Sequence, residues 1–549
     1  MARTKDRGDW MIDFASFWEE VVDVVPERDA ILHGSRRLTY AEFDDAAARF
    51  AAALDSAGLT RGAKVALYLY NCPEYLVAQF GAFKHRAVPV NVNYRYLDDE
   101  LVYLIENSDA EALVFHSSLS ACVERVRDRL SVRLLVEVDD GGTPLDGAWR
   151  MADLLVAHEP QARQERSPED LYMLYTGGTT GLPKGVMFPQ GEFIERLLVS
   201  VVSLGLLDAV PTSRDDVRAL LKSVGVADPE VSIPCCPLMH GTGMWIGAMP
   251  ALMVGGAVVL LESRSFDPDE VWRLTEEKGA TRIVIVGDAF ARPMLRALER
   301  REVEGRPVDV SSVRHVMSSG AIWSAEIKDG LRSRLNATLV DSLGSTEGLG
   351  FGASGATPDV GAATAHFALA PTTKVVRTDG REVTRGTGEQ GMLASRTAAF
   401  AYYKDPEKTA STFLRIDGQG YVLTGDWATV DEDGSVTLLG RGSMSINTGG
   451  EKVFAEEVEE AVKRHPLVDD CLVVGVADER FGQRVVAVVG SPSSPAISES
   501  ELTDFLCGSL AHFKIPKSFV VLDAVRRAPN GKADYKWARE LAEGAVSSS

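Results

Sequence analysis

Twelve consecutive residues, Tyr175-Thr-Gly-Gly-Thr-Thr-Gly-Leu-Pro-Lys-Gly-Val186, combine what a chain needs to hold an anion. Gly177, Gly178 and Gly181 free the backbone to curl, so that successive N–H groups can face one charge. Thr176, Thr179 and Thr180 add hydroxyl donors, and Lys184 adds an ammonium. Alone, a short Gly/Thr loop is a polar turn after a strand. The spacing GxxxxGK[ST] cannot be placed on it, which weakens a kinase or P-loop NTPase reading.

Six further segments carry polar or cationic residues of chemical interest. They are Pro237-Leu-Met-His240-Gly-Thr-Gly243, Ser318-Ser319-Gly320-Ala321, Asp341-Ser342-Leu343-Gly344-Ser-Thr346-Glu347 and Tyr421-Val-Leu-Thr-Gly-Asp426-Trp427. Gly440-Arg441 with Gly449-Gly450-Glu-Lys-Val-Phe454 follows, then Ala528-Pro-Asn-Gly-Lys532. Each has an ordinary structural explanation when taken singly. His240 could be a satisfied core histidine, Asp426 a solvated turn residue, Arg441 half of a surface ion pair and Lys532 an exposed tail lysine. Trp245 is equally at home in a core.

In this order, from Tyr175 to Lys532, the set closely resembles the AMP-forming acyl-adenylate enzymes: acyl-CoA synthetases, peptide-synthetase adenylation domains and beetle luciferases. The resemblance covers essentially the whole chain. Acyl-CoA synthetases are nearest, because GRGSMSINTGGEKVFAEEVEEA and PNGKADYKWA are similar to actinobacterial ligases that activate fatty acids or steroid side-chain acids. The resemblance implies that a hydrophobic carboxylic acid attacks the α-phosphate of ATP, releasing pyrophosphate and giving an acyl-AMP. The thiol of coenzyme A then displaces AMP. The first step brings two anions together and needs fixed positive charge and aligned donors.

The resemblance also implies roles for individual residues. The loop from Thr176 to Lys184 would hold the β- and γ-phosphates, with Ser319, Gly320, Ala321, Asp341, Ser342, Leu343 and Gly344 around the nucleotide. Thr346 would donate to the α-phosphate, Glu347 would hold Mg2+ with Thr180 beside it, and Asp426 would accept from the ribose hydroxyls with help from Arg441. Lys532 would reach both the carboxylate and the α-phosphate, as a mobile point charge can. His240 would stand at the mouth of the acyl pocket, and Trp245, Asp288, Ala289, Gly320 and Gly348 would line it. Gly449 and Gly450 would face the pantetheine arm of CoA, and Ser443 would be the hinge that exchanges them for Lys532.

Three positions depart from the family pattern. Leu343 stands where an aromatic residue usually packs near the adenine. Ser443 replaces the usual Asp or Lys at the hinge, where backbone freedom matters more than charge. Asn447 replaces a lysine used in the second half-reaction of some members, which counts against a luciferase. Two rivals stay open: an acyl-AMP ligase that loads a carrier-protein thiol, and an inactive homologue that binds nucleotide or acyl ligand as a sensor.

The elements that must position these residues read as α/β. KVALYLYN (64–71), VPVNVN (88–93), ALVFH (112–116), LLVEV (134–138), RIVIVGD (282–288) and ATLVDSLG (337–344) are buried strands by composition. Helix-period segments such as 98–108 and 324–335 lie between them, which predicts layers with largely parallel sheets. From about 372 to 440 short strands and Gly/Asp turns predict a small β-rich subdomain. The expected division is an N-terminal adenylate-forming domain over 1–442, made of layered α/β subdomains, and a small mobile α+β C-terminal domain over 443–549 carrying Lys532. In the latter, 455–465 is a well-signed helix with glutamates first and Lys463, Arg464 and His465 last.

Composition narrows the classes. The 549 residues suggest several domains, and the formal net charge of −21 argues against a nucleic-acid binder and against anion attraction by the whole-molecule field. Phosphate chemistry must therefore be built locally. Residues 511–539 hold seven Lys/Arg against two Asp. The six cysteines form no CxxC pair, which fits a reduced, cytoplasmic setting. No signal peptide, prenylation or peroxisomal signal is read at either end. Residues 241–261 are uncharged but contain five glycines and Pro250, and so read as a buried helix–turn–strand, with no integral membrane segment. A homodimer is compatible with the reading.

Overall fold

The computed structural model describes residues 11–176, 182–223, 229–321, 323–348, 350, 352–356, 365–377, 380–416, 419–441, 445–448, 451–478, 482–492, 497–507, 509–528 and 531–547. Its largest sheet has fourteen strands. Six of them run parallel and adjacent: Asp29–His33, Ala257–Leu260, Val231–Pro234, Arg282–Ile285, His315–Ser319 and Thr338–Leu343. Ala257–Leu260, Val231–Pro234 and Arg282–Ile285 are buried at every position, the pattern of parallel strands covered on both faces. A second sheet of five strands is parallel throughout, in the order Val88–Asn91, Lys64–Tyr68, Ala110–His116, Leu134–Val138, Trp149–Arg150.

Beyond Leu343 the pairing turns antiparallel. Gly352–Ala356 and His366–Leu369 join the parallel strands to Val436–Arg441, Gln419–Val430, Gln390–Arg396 and Thr373–Val376. The β-rich stretch therefore continues the large sheet rather than pairing only within itself. The hairpin Leu171–Thr176 and Lys184–Pro189 forms a separate small sheet with Ala401–Tyr402, and Thr176 pairs with Lys184 at the end where the two strands are joined. Residues 445–547 carry a last sheet of five strands, with Asp470–Asp478 and Gly482–Gly490 paired along their whole length. Helices Ala455–Lys463 and Tyr535–Ser547 pack on it.

Local signals explain the boundaries. Helix Asp98–Ser108 opens on three acidic residues and closes at Asp109 with φ 54°. Helix Pro268–Lys278 is capped by Asp267, starts on proline and ends at Gly279 with φ 63°. The strand expected over 282–288 stops at Ile285, because Gly287 (φ 56°) turns the chain and Asp288 begins the helix Asp288–Val303. The uncharged stretch 241–261 is helix, a turn at Gly255, then strand. Among the described residues no helix is long and apolar enough to cross a membrane.

Aromatic packing joins the first helix, Phe14–Val24, to the rest. Phe14 stacks on Phe83 at 4.7 Å between centroids, and Trp18 packs on Tyr40, Phe43 and Phe80. In the parallel sheet one charged pair is fully enclosed: Arg282 Nη2 lies 2.5 Å from Glu230 Oε1, with both side chains at most 2% exposed. Glu230 also accepts from Thr281 and Arg314. Removing one partner strands a buried charge, which costs far more than the pair contributes. Glu230→Gln should therefore lower unfolding stability by about 3–5 kcal/mol in denaturant titrations, and Glu230→Gln with Arg282→Met should recover most of that loss.

Candidate active site

The carboxyl ends of the parallel strands share one cleft of about 3190 Å³. Met239, His240 and Thr242 enter it after Val231–Pro234, Val286 after Arg282–Ile285, and Ser319 and Gly320 at the end of His315–Ser319. Ser342, Gly344, Ser345, Thr346 and Gly348 enter at and beyond the end of Thr338–Leu343. Open α/β sheets place ligands at this edge, because the strand ends leave loops free to converge there.

Two asparagines tie these loops together. Asn91 donates to the carbonyls of Tyr175 and Met239, both at 2.8 Å, and accepts from Tyr175 N–H at 2.7 Å. Asn71 donates to the Cys236 carbonyl and accepts from Leu238 N–H at 2.8 Å. The start of the glycine-rich loop and the His240 segment are thus held in fixed relation. Neither residue was singled out from sequence; for Asn91 the signal was an amide inside the apolar strand VPVNVN, and for Asn71 an amide ending the apolar run KVALYLYN.

Gly320 stands where Lys532 and Thr242 approach each other. Its φ of 94° is one that side chains rarely adopt, and a Cβ there would stand 3.8 Å from Lys532 Cε and from Thr242 Oγ1. Lys532 therefore comes from the far end of the chain to within reach of the strand ends, with Ala528 and Ala533 through Lys536 along the same wall. His240 also lines the cleft, and its buried Nε2 has no hydrogen-bond partner among the described residues. Burial, reinforced by the Lys532 charge, pushes this imidazole down to about 3. The ring is neutral at ordinary pH and offers an uncommitted polar atom.

A second polar group lies beside the hairpin. Lys184 Nζ is 2.5 Å from Asp405 Oδ2, and the contact holds the Asp405 carboxyl below the usual range. Tyr402 donates to Glu347 Oε1 at 2.7 Å, and the Thr397 hydroxyl donates to the Glu347 carbonyl. Glu347 Oε2 makes no hydrogen bond to the described residues, leaving a hard oxygen donor of the kind Mg2+ takes together with substrate phosphates. Among the described residues no group of three or more His, Cys, Asp or Glu could hold a metal unaided.

Other candidates lie beneath or beside the cleft. Asp341 is buried 3.1 Å from Lys328; burial pushes its carboxyl up to about 6 against the pull of that lysine. Leu343 points into the antiparallel core with Phe367 and Leu393. Ala321 and Ala289 pack against the parallel-sheet core, and Asp288 accepts from Ser324 N–H at 2.9 Å. Val286, rather than Asp288 or Ala289, is on the cleft wall. Trp245 lines the cleft while its indole N–H donates to Tyr172 at 2.8 Å. Asp426 is buried, and its backbone stands in register with that of Arg441 on the neighbouring strand. Thr176 lines the cleft. Gly177, Gly178, Thr179, Thr180, Gly181, Ser443, Gly449 and Gly450 lie outside the described residues.

Comparison with known proteins places the chain in one family. Residues 18–401 match the AMP-binding enzyme family and residues 457–532 match the AMP-binding enzyme C-terminal domain. A medium/long-chain-fatty-acid–CoA/3-oxocholest-4-en-26-oate–CoA ligase of Mycobacterium tuberculosis is 40% identical over 97% of this chain and 96% of its own. A 3-oxocholest-4-en-26-oate–CoA ligase of Rhodococcus rhodochrous is 38% identical over 96% of each. Among solved structures, ATP-bound MatB from Rhodopseudomonas palustris superposes with a TM-score of 0.81 at 25% identity, over 97% of this chain and 100% of that one. The anthranilate CoA ligase AuaEII, with a TM-score of 0.83 at 21% identity over 98% of each chain, shares the fold. With its mixed α/β architecture, its strand-end cleft and these matches over nearly the whole length, the chain belongs to the AMP-binding enzyme family, in the class of AMP-forming acyl-CoA ligases that use ATP and coenzyme A.

Proposed function

We propose that this protein activates a hydrophobic monocarboxylic acid, a medium- or long-chain fatty acid or a steroid side-chain acid, and passes it to coenzyme A. The observation that carries this reading is the convergence of Lys532, His240, Gly320 and Thr346 on a cleft whose remaining wall includes Ile12, Leu197, Leu198, Val210, Trp245 and Ile246. An apolar wall takes the acyl body, and a few polar groups fix its carboxylate where the strands end. The names of the mycobacterial and rhodococcal relatives support the same acids.

In this proposal Lys532 lies between the carboxylate and the α-phosphate and offsets the charge of both as they approach. Thr346 donates to the α-phosphate. Neutral His240 offers Nε2 to the acid without adding charge of its own. Lys184, released from Asp405, turns to the β- and γ-phosphates, and Asp426 with Arg441 receives the ribose. Glu347 would hold Mg2+, which supplies charge neutralisation on the phosphates. The hinge at Ser443, dividing 1–442 from 443–549, then brings Gly449 and Gly450 round to the pantetheine arm. Cytoplasmic residence and a homodimeric state complete the reading, the first supported by six free thiols.

Acyl-CoA formation across short, medium, long and sterol acids should peak with the long or sterol acids. The reading fails if no acid supports ATP–pyrophosphate exchange, and turnover only with a phosphopantetheinylated carrier protein would replace CoA as acceptor. Lys532→Ala should cut exchange by about 100-fold or more, the scale of a lost transition-state charge, while sparing thioester formation from synthetic acyl-AMP. Because the fold holds His240 near 3 rather than 6.5, it favours the neutral ring. The stability this contributes is complete above pH 6.5 and is lost as pH falls toward 3. His240→Gln should flatten the acid side of the Tm-versus-pH curve; an unchanged curve would show the ring is not so buried.

A further inference from the structure

Lys532 is held by its own unit through an ion pair that leads back to the other side of the cleft. Arg527 makes a two-pronged contact with Asp470, Nε to Oδ2 at 2.5 Å and Nη2 to Oδ1 at 2.6 Å. Its remaining nitrogen, Nη1, donates to the Gly531 carbonyl at 3.0 Å. Ala528 N–H donates to the Lys532 carbonyl at 2.9 Å, and Arg527 bridges to Ala533 across the turn. One guanidinium therefore clasps the turn that presents Lys532 and fixes it to the first residue of the strand Asp470–Asp478. Burial raises the Asp470 carboxyl, but Arg527 outweighs burial and keeps it below the usual carboxylate range.

The residue immediately before, Asp469, points the other way. It takes a second two-pronged contact from Arg296 on the helix Asp288–Val303, Nη2 to Oδ1 at 2.6 Å and Nη1 to Oδ2 at 3.2 Å. The head of that same helix meets the Lys532 turn: a Cβ on Gly531 would lie 2.9 Å from Phe290 and 3.1 Å from the Val286 carbonyl. Gly531 has φ 72°, so both conformation and space call for glycine. The segment 286–296 thus touches the C-terminal unit at two points, at the lysine turn and at Asp469. Adjacent carboxylates, each engaged by one arginine, join them into a single strut.

We propose that Arg296 and Asp469 are positioning residues for acyl-adenylate formation: their ion pair latches the C-terminal unit where Asp470 and Arg527 deliver Lys532 to the cleft, and it opens when the unit turns for thioester formation. This rests on the assignment of Lys532 to the first half-reaction. The latch is suited to reversal. The Arg296 and Asp469 side chains are 55% and 29% exposed, so the pair is solvated on release and worth only a modest free energy. A buried pair would hold the unit too firmly to release it within a catalytic cycle. The Asp470–Arg527 pair is the more buried of the two, and it joins groups that travel together.

The test uses full-length enzyme and separates the half-reactions. ATP–pyrophosphate exchange reads adenylation, and CoA consumption with the synthetic adenylate of the preferred acid reads thioester formation. Arg296→Ala should slow exchange by about 2- to 5-fold, the effect of losing one exposed two-pronged pair. Arg296→Glu, which faces Asp469 with like charge, should slow it by about 10-fold. Neither should slow thioester formation. Arg296→Asp combined with Asp469→Arg should return exchange to within about 2-fold of the parent, a rescue that general loss of structure would not give. Raising salt to about 0.5 M should narrow the gap between parent and Arg296→Ala, since exposed pairs are screened. Equal loss in both half-reactions, no loss in either, or no rescue by the reversed pair would overturn the latch. Lys532→Ala is run alongside: if it fails to separate the half-reactions, the parent assignment falls and the latch with it; if it separates them while Arg296→Glu does not, the latch alone is wrong.

Discussion

A carboxylate and a triphosphate repel each other, and every level of this structure bears on how they can be brought together. The chain carries a net charge of −21, so its overall field offers no help. Positive charge has to be local, and it has to be absent when it is not needed. Lys184 rests against Asp405, His240 is kept neutral by burial, and Lys532 stands on a separate unit that reaches the cleft from outside the large sheet. Each arrangement limits uncompensated charge at the strand ends while leaving donors within reach.

Rigidity and mobility are divided accordingly. The floor of the cleft is parallel strand, packed on both faces, with Asn91 and Asn71 holding its loops in register. Asp341 and Lys328 pair beneath it, away from the cleft wall. Against this floor the C-terminal unit leans at several places, among them the exposed Arg296–Asp469 pair and the close approaches of Gly531 to Phe290 and of Gly440 to Glu456. Its own interior is tighter, as the Arg527 clasp shows. The Arg296–Asp469 pair between the units is exposed, whereas the Asp470–Arg527 pair within the C-terminal unit is more buried.

Much of this was legible in the chain itself, for reasons that can be named. Buried parallel strands show as runs of Val, Ile and Leu, so 282–285 and 134–138 were visible, and the helical period marked 98–108 as a helix with correct ends. Less legible was where a side chain near a strand end would point. Ser342 faces the cleft while its neighbour Leu343 faces the antiparallel core, a consequence of strand alternation at the place where the sheet changes direction. Asp288 was read as pocket lining, but its carboxylate accepts from Ser324 N–H, and Val286 before it meets the cleft.

The class of reaction was legible in the chain through its resemblance to a known family, carried by a Gly/Thr/Lys loop, a Thr-Glu segment and a Gly-Lys ending in one order, where each piece alone has an ordinary structural explanation. The sequence also determined the alternation of elements, since burial on two faces leaves a compositional mark. Which polar atoms are already committed and which remain open was settled by the tertiary structure: Glu347 gives one oxygen to Tyr402, Lys184 is engaged by Asp405, and His240 Nε2 has no partner among the described residues. Only it could bring Arg296 to Asp469 and Phe290 to Gly531, pairs separated by more than a hundred residues. Hydrogen bonds and charge contacts act over a few ångströms of space, and no local pattern in a chain records which distant residues will meet.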